Sequence, residues 1–344
     1  MRNPDAKLIS SAKNITYLTK LSFFSETERE VFLIISKNKK FLITDRRYSE
    51  EVKKITKQFE IIDCGALNFI AKEAKEFFKN EKIKSLGFEV NNLTVSEFKL
   101  LENKVKLVPI DLKSLREIKS NEEIKYIKNA CKIGDSAFKF ILSKLKVGVT
   151  ERKIAEELEN YFKSKNVSSS FQPIVAFGIN SSIPHHQSNN TKLRKNQMVL
   201  LDFGVKVNGY CSDMTRTVFF GSADSKFKSM HQTVLDAQQS AIKEIKNDIK
   251  ASNIDKAARD FIIKNGYPDI IHSVGHGIGL EVHESPSVSP KSEDIIKNNM
   301  IFSIEPGIYL KSYGGVRIED LVLVRSGKAE LISKAKRGLI ETND

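Results

Sequence analysis

Asp202 and Asp213 are the first residues of this sequence whose spacing suggests chemistry, because they flank Asn208-Gly209 within a run of apolar and β-branched residues. Asn-Gly between such runs predicts a β-hairpin with a type I′ turn. With that turn, Asp202 faces Thr215, and Asp213 lies on the same face of the ribbon. The two carboxylates would then be diagonal neighbours about 7–8 Å apart. Unless both point to solvent or pair with lysines, their repulsion and lost hydration predict a cation between them.

A second group of candidates lies towards the C-terminus. Three of the six histidines, His272, His276 and His283, occupy one short segment together with three glycines. A lone histidine is usually a packed or solvated residue, but three so close together, with glycines that let the backbone approach, indicate a site.

Two more acidic residues are predicted inside apolar strands, Glu305 in 301–310 and Glu319 in 314–324. Arg317 lies two residues before Glu319 and therefore shares its face of the strand, which makes it a candidate partner for that carboxylate. Glu305 has no such neighbour.

Together these candidates form a set of four carboxylates and one imidazole: Asp202, Asp213, His276, Glu305 and Glu319. So acidic a set requires cations. Oxygen ligands with one histidine favour Mn²⁺, Co²⁺ or Fe²⁺, with Zn²⁺ as an alternative, and differ from the Cys- and His-rich structural zinc sites. Four carboxylates carry more charge than one divalent ion balances, so two ions and a hydrolytic reaction are predicted.

The elements that must position these residues fall into two predicted domains, 1–115 and 116–344. In the first, strand-like runs at 15–19, 31–36 and 41–45 precede alternating strands and helices, which indicates a small α/β domain. In the second, helices are placed around antiparallel ribbons, which is an α+β order. Its predicted helices begin at the capping box Ser120-x-x-Glu123 and at Thr150, and lie at about 121–145, 150–164, 224–247 and 252–264.

Composition limits the class of protein. Hydrophobic residues make up 40% and charged residues 29% of the 344 residues, as in a globular protein. The sequence contains no uncharged apolar run of about 18 residues, so no membrane span is predicted. Three dispersed cysteines and an N-terminus without an apolar signal core favour a reducing cytoplasm. The net charge of +13 comes from lysines interspersed with glutamates, so a solvated surface is favoured over nucleic-acid binding.

Five motifs in order resemble the pita-bread metallopeptidases, most closely the proline-specific branch that contains aminopeptidase P and prolidase (Xaa-Pro dipeptidase). They are LLDFG (200–204), SDMTRT (212–217), HSVGHGIGLEVHE (272–284), SIEPGIY (303–309) and GGVRIED (314–320). The resemblance covers about 120–344 and implies a pita-bread catalytic domain of the α+β class. The front of the chain resembles the smaller creatinase-type N-terminal domain.

The resemblance implies a role for each ligand. Asp202 would bind one metal ion, His276 and Glu305 would bind the other, and Asp213 and Glu319 would bridge the two. Glu305 would also move a proton between water and the leaving nitrogen.

The resemblance further implies catalytic roles for two histidines. His185 would steady the substrate carbonyl and the tetrahedral intermediate, and its neighbour His186 is expected to be a bystander. His283 would contact the substrate near proline.

Three more residues are expected to contact the substrate or to line its pocket. His272 and Tyr309 would be pocket walls, and Arg317 would orient Glu319 or the substrate.

The implied function is hydrolysis of the bond between an N-terminal residue and proline in short peptides. The enzyme is expected to be a homodimer with two divalent ions in its site, and Mn²⁺ is the favoured ion. An aminopeptidase P-like activity is favoured over a prolidase restricted to dipeptides. The spacing of 14 positions from Glu305 to Glu319, and the front domain, disfavour methionine aminopeptidase. The intact ligand set disfavours the metal-free creatinase branch and a metal-free binding protein on the same fold.

Overall fold

The computed structural model describes residues 3–25 and 27–343. The chain forms two compact units, the first ending at Ser114 and the second beginning at Leu115. Each unit has its own hydrophobic clusters. No α-helix within the described ranges is long and apolar enough to cross a membrane.

The N-terminal unit is built on one six-stranded mixed sheet with the order β4-β3-β2-β1-β5-β6. Its strands are β1 Ala6–Ile9, β2 Phe32–Ser36, β3 Lys40–Thr44, β4 Glu60–Asp63, β5 Ser85–Glu89 and β6 Lys106–Ile110. Its helices are α1 Ala12–Thr19, α2 Arg46–Ile55, α3 Ala66–Asn68, α4 Ala74–Asn80 and α5 Val95–Glu102, with a π-helical turn Phe69–Glu73 before α4. Short α6, Ser114–Glu117, follows.

Both faces of this sheet are covered, since neighbouring residues of one strand enter different hydrophobic clusters. Ile34 packs with Leu8 and Ile43, whereas Leu33 packs with Leu42 on the opposite face. This alternation is the two-residue period of a strand and explains the apolar runs in the sequence.

The prediction of a strand at 15–19 is wrong, because these residues belong to helix α1. Ser11 caps the helix by accepting a hydrogen bond from the Asn14 backbone, and Lys20 ends it in the left-handed conformation. These end signals outweigh the strand preference of β-branched residues. Strand β1 was not predicted, although it pairs with both β2 and β5.

The C-terminal unit contains two pairs of long helices and several small antiparallel sheets. The helices are α7 Asn121–Leu142, α8 Glu151–Ser164, α9 Ser225–Glu244 and α10 Ala251–Lys264. The strands of its first half are β7 Ser168–Ser169, β8 Ile174–Phe177, β9 Gln197–Phe203, β10 Val205–Val207, β11 Tyr210–Cys211 and β12 Met214–Phe220, with a 3₁₀ turn Gly178–Ser182. The strands of its second half are β13 Gly275–Gly277, β14 Glu284–Val288, β15 Ile301–Ile304, β16 Gly307–Leu310, β17 Gly314–Arg317, β18 Asp320–Arg325, β19 Lys328–Leu331 and β20 Glu341–Thr342.

Two hydrophobic clusters organise this unit. In one, α7 and α8 pack against β8, β9 and β12, and in the other α9 and α10 pack against β15, β17 and β18. The predicted capping box opens α7, where the Ser120 hydroxyl accepts from the backbone of Glu123 and the Glu123 carboxylate accepts from the backbone of Ser120. Thr150 caps α8 as predicted. The helices thus follow the sequence signals closely.

The predicted hairpin has the expected register. Asp202 faces Thr215 across β9 and β12, and Val207 faces Tyr210 at the turn. Asn208 and Gly209 have φ angles of 50° and 84°, as a type I′ turn requires.

Glu305 and Glu319 do not lie inside continuous strands as predicted, but at breaks between strands. Strand β15 pairs with β18 up to Ile304 and Asp320, and β16 pairs with β17 from Gly307 and Arg317. The pairing therefore passes from one sheet to the other across two facing gaps, each holding one glutamate. Proline at 306 lacks the N–H that a continuous ladder needs, which accounts for the break after Glu305.

Candidate metal centre

A cavity of about 580 Å³ in the C-terminal unit brings the predicted ligands together. Its lining includes Asp202, Asp213, His276, Glu305 and Glu319. The hairpin supplies the two aspartates, and the facing strand gaps supply the two glutamates. Apolar strands on either side hold these polar side chains where water is largely excluded.

His276 reaches this group from strand β13, which runs close to its neighbours. A Cβ on Gly275 would lie 1.9 Å from the Ser303 carbonyl oxygen, and one on Gly277 would lie 2.1 Å from the Ser285 carbonyl oxygen. Glycine is therefore required on both sides of His276. The Nε2 atom of His276 lies 3.3 Å from a carboxylate oxygen of Glu305.

Burial and mutual repulsion set the charges of the group. Burial, followed by the neighbouring carboxylate of Glu319, raises the pKa of Asp213 well above its ordinary value. Burial, followed by the charges of Glu305 and Asp202, raises the pKa of Glu319 to about 8. Burial also raises the pKa of Asp202, with the Arg317 guanidinium acting in the opposite direction.

Glu305 and His276 form an ion pair within the group. Burial acts to raise the pKa of Glu305, but the hydrogen bond and charge of His276 outweigh it and lower the pKa to about 2. Burial likewise acts to lower the pKa of His276, but Glu305 outweighs it and raises the pKa to about 9.

The donor set fits divalent metal ions. Three buried carboxylate oxygens, Asp202 Oδ1, Asp213 Oδ1 and Glu319 Oε1, have no hydrogen-bond partner among the described residues. Ligand atoms of Asp213, His276 and Glu319 all lie within 4.8 Å of one another. Buried carboxylate oxygens without donors are costly unless a cation balances them, and such oxygen-rich sets with one histidine suit divalent ions.

Arg317 does not pair with Glu319, contrary to the expectation from their spacing. Its Nη2 atom lies 2.5 Å from Asp202 Oδ2, and its Nη1 atom lies 2.8 Å from the Tyr309 hydroxyl. Glu319 instead accepts a hydrogen bond of 2.7 Å from Thr215. The break before β18 turns the backbone between 317 and 319, so the two side chains no longer share one strand face.

The remaining predicted histidines also line the cavity. His272 Nε2 lies 2.8 Å from the Tyr309 hydroxyl, and the ring of His283 stands edge-on to that of His276 with centroids 4.2 Å apart. Burial lowers the pKa of both His272 and His283, which favours the neutral form of each ring. His185 is exposed on the cavity wall.

Two contacts were not foreseen at the level of sequence. Thr215 was placed opposite Asp202 but given no role, although its hydroxyl bonds Glu319. His186, taken as a bystander, is buried and lies 2.8 Å from Glu151. Hydroxyl and imidazole partners of this kind are far apart in sequence, so no local pattern reveals them.

Comparison with known proteins identifies the family. Residues 125–326 match metallopeptidase family M24, and residues 2–118 match the creatinase/prolidase N-terminal domain. The chain belongs to metallopeptidase family M24. This membership confirms the predicted metal-dependent peptidase class, the dinuclear divalent-metal site and the α+β pita-bread fold with a creatinase-type N-terminal domain.

The relatives match over nearly the whole chain. An uncharacterized peptidase of Bacillus subtilis (strain 168), YqhT, is 39% identical over 343 residues, covering 98% of this chain and 95% of that protein. The structure of the Xaa-Pro dipeptidase from Bacillus anthracis has a TM-score of 0.91 and 36% identity, covering 98% of this chain and 95% of that chain. The X-Pro aminopeptidase from Thermotoga maritima MSB8 has a TM-score of 0.86 and 33% identity, covering 98% of both chains.

Proposed function

We propose that this protein is a Xaa-Pro peptidase that hydrolyses the bond between an N-terminal residue and proline in short peptides. The observation that carries this proposal is the cavity in which three unpaired buried carboxylate oxygens lie among the five acidic and histidine ligands. The proline specificity is supported by relatives that bear the names Xaa-Pro dipeptidase and X-Pro aminopeptidase.

The five ligands would hold the two divalent ions in the cavity. In our proposal Asp202 would serve one ion, His276 and Glu305 would serve the other, and Asp213 and Glu319 would serve both. Bound ions would lower the pKa of a shared water molecule and polarise the substrate carbonyl. Mn²⁺ is the ion we favour, because four carboxylates and one imidazole suit it, with Co²⁺ or Zn²⁺ as alternatives.

Two side chains of the protein would transfer protons and stabilise negative charge during the proposed hydrolysis. Glu305, on the cavity wall, would accept a proton from water and then deliver it to the proline nitrogen. His185, exposed on the cavity wall, would donate a hydrogen bond to the carbonyl oxygen as negative charge develops on it.

The other walls suit a proline ring and its flanking chain. Phe171, Ile174 and Val282 provide apolar surface. His283 would contact the substrate near proline, and His272 with Tyr309 would form a further wall through their hydrogen bond. A cavity of mixed apolar and imidazole character accommodates the ring, which most peptidases reject because proline lacks the N–H and restricts the backbone.

An aminopeptidase P-like preference for peptides longer than two residues is supported by the charges of the lining. Among the described residues of the cavity wall, Arg317 is the only lysine or arginine. It is already engaged by Asp202 at 2.5 Å. The carboxylate of an Xaa-Pro dipeptide would therefore meet no available lysine or arginine among the described lining residues, whereas a longer peptide places no charge at this position. A strict dipeptidase is the alternative, favoured by the name of the Bacillus anthracis relative.

Arg317 would affect substrate binding indirectly, through the two side chains that it contacts. Its contacts hold Asp202, a proposed metal ligand, and Tyr309, a partner of His272, in one arrangement. We also propose a cytoplasmic homodimer, in which the three cysteines, which form no disulfide within the described part of the chain, stay reduced. Light scattering of the purified protein measures the dimer directly.

The experiment that tests this function offers the Mn²⁺-loaded protein Xaa-Pro and Xaa-Pro-Xaa peptides side by side, with Asp213→Asn as the inactive control. We expect cleavage of the tripeptide at the Xaa–Pro bond and slower cleavage of the dipeptide. Cleavage of the dipeptide alone would establish the dipeptidase alternative. No cleavage of either peptide by protein with bound metal would refute the proline specificity, and failure to bind metal would favour a binding protein on this fold.

A further inference from the structure

We propose that Glu151 and His186 are positioning residues that hold His185 against the scissile carbonyl, a role that rests on the function proposed above. The two adjacent histidines have opposite surroundings. His185 is exposed on the cavity wall, whereas His186 is 9% exposed. The buried ring anchors this part of the loop 178–191, which follows β8, and the exposed ring is presented to the substrate.

One carboxylate ties together the two ends of the loop. Glu151 is fully buried, and its Oε1 atom accepts hydrogen bonds of 2.8 Å from the Phe177 backbone and from the Asn180 amide. Its Oε2 atom lies 2.8 Å from His186 Nε2 and accepts a hydrogen bond of 3.1 Å from the Asn189 backbone. One contact goes to the last residue of β8 and the other three go to the loop, so the loop is fixed at its start and at its end.

The carboxylate itself has a rigid support. Glu151 is the first residue of helix α8, where the helix dipole favours a negative charge. Its backbone N–H donates to the Thr191 carbonyl at 3.1 Å, and that of Arg152 donates to the Asn189 carbonyl at 2.9 Å. The end of the loop is therefore joined to the helix by backbone as well as side-chain bonds.

His185 lies between two anchored neighbours. On one side the Pro184 carbonyl oxygen lies 3.5 Å from Arg317 Nη1, which connects it to the metal ligand Asp202. On the other side His186 is held by Glu151. Both chain neighbours of His185 are therefore tied to buried charged groups.

This arrangement matters because a hydrogen bond to a developing oxyanion depends on placement. A displacement of roughly 1 Å at a reacting group costs about 100-fold in rate. Loss of the anchor therefore lowers kcat, while KM, set by the rest of the cavity, changes little. The anchor acts only through His185, so its loss has no further effect when His185 is absent.

The experiment is a double-mutant cycle on the full-length protein with saturating Mn²⁺ and the Xaa-Pro-Xaa peptide. The variants are H185A, H186A and H185A/H186A, with H186Q as the conservative replacement and Q187A as the matched control. Glutamine at 186 keeps an N–H that can donate to Glu151. Gln187 has an exposed side chain in the same loop.

We expect H186A to lower kcat by about 10- to 100-fold with KM within about threefold, and the double variant to equal H185A. We also expect H186Q to recover most of the rate and Q187A to match wild type. If the losses of the two single variants multiply in the double variant, His186 acts independently of His185 and the proposal is overturned. If H186A does not fold, H186N takes its place in the cycle, because asparagine is polar but too short to reach the carboxylate.

A measurement without turnover gives a second test. Imidazole ¹⁵N spectra of the metal-free protein, assigned with the histidine variants, should show His186 fixed with Nε2 protonated. In E151Q the His185 signals should shift or broaden, because the loop loses its charged anchor. Unchanged His185 signals in E151Q would overturn the proposal.

The two proposals fail in different ways. If wild type does not cleave Xaa-Pro bonds but cleaves another peptide, the proposed function fails and the cycle is repeated on that peptide. If wild type cleaves Xaa-Pro bonds and H185A is as active as wild type, the role of His185 fails, and with it the positioning role of His186.

Discussion

Replacing Glu319 by glutamine should stabilise the metal-free protein while removing its response to metal. Glu319 is 2% exposed, and one of its oxygens has no hydrogen-bond partner among the described residues. Its pKa is raised to about 8 by burial and by the charges of Glu305 and Asp202. Without metal, the folded protein must therefore bind a proton that the unfolded chain releases at neutral pH.

The sign and size of the expected change in folding stability follow from this difference in proton binding. The folded pKa of Glu319 lies above its ordinary value of 4.5, so folded and unfolded chains both hold the proton below pH 4.5, and stability is lost as pH rises towards about 8. The loss of folding stability is about 1.4 kcal/mol for each pH unit and approaches about 3 kcal/mol at pH 7. Glutamine does not titrate, and its amide oxygen can still accept the hydrogen bond from Thr215.

The assay is urea unfolding in the presence of a chelator at pH 5 and pH 7, repeated with Mn²⁺. We expect E319Q to exceed wild type by about 1–3 kcal/mol at pH 7 and by much less at pH 5. Saturating Mn²⁺ should stabilise wild type, by about 2.7 kcal/mol at 100 times its Kd, and E319Q far less.

Asp320→Asn is the matched control, because it removes a buried charge at the next position. Asp320 is paired with Arg216 at 2.6 Å, so its loss leaves a buried guanidinium unpaired and should destabilise the protein by about 3–5 kcal/mol. The reasoning is refuted if E319Q is less stable than wild type without metal at pH 7, or if its advantage is the same at both pH values.

Three further predictions concern metal binding. Because Glu319 and His276 must lose their protons, with pKa values of about 8 and about 9, Mn²⁺ affinity should rise with pH up to about 9 and binding should release protons; calorimetry in two buffers of different ionisation enthalpy measures the release, and none would contradict the account. T215V removes the hydroxyl that lies 2.7 Å from Glu319 and should weaken Mn²⁺ binding about 10-fold; an unchanged Kd would count against this role. R317M removes the guanidinium that opposes the raised pKa of Asp202, so Mn²⁺ binding should weaken more at pH 6 than at pH 8; equal weakening at both would contradict it.

The parts of the fold that sequence predicted well are those set by local signals. Asn208-Gly209 fixes the turn, and the two-residue period of strands then fixes which residue faces Asp202. The capping box at Ser120 fixes where α7 begins. These signals lie within a few residues of the feature they determine, so no long-range contact is needed to predict it.

The parts that were not predicted depend on contacts between distant segments. The breaks at Glu305 and Glu319 arise where the chain exchanges one strand partner for another, which the apolar pattern does not record. For the same reason spacing paired Arg317 with Glu319, whereas the folded chain pairs Arg317 with Asp202. The partnership of His186 with Glu151 spans 35 residues and has no local signature.

The central claim is that two metal ions held by this cavity drive cleavage at Xaa–Pro bonds. The most direct test adds Mn²⁺ stepwise to metal-free protein while the bound metal and the rate of Xaa-Pro-Xaa cleavage are measured on the same samples. We predict that cleavage at the Xaa–Pro bond reaches its plateau at about two ions per chain. A protein that binds two ions without cleaving this bond, or that cleaves it at full rate with none bound, would contradict the account.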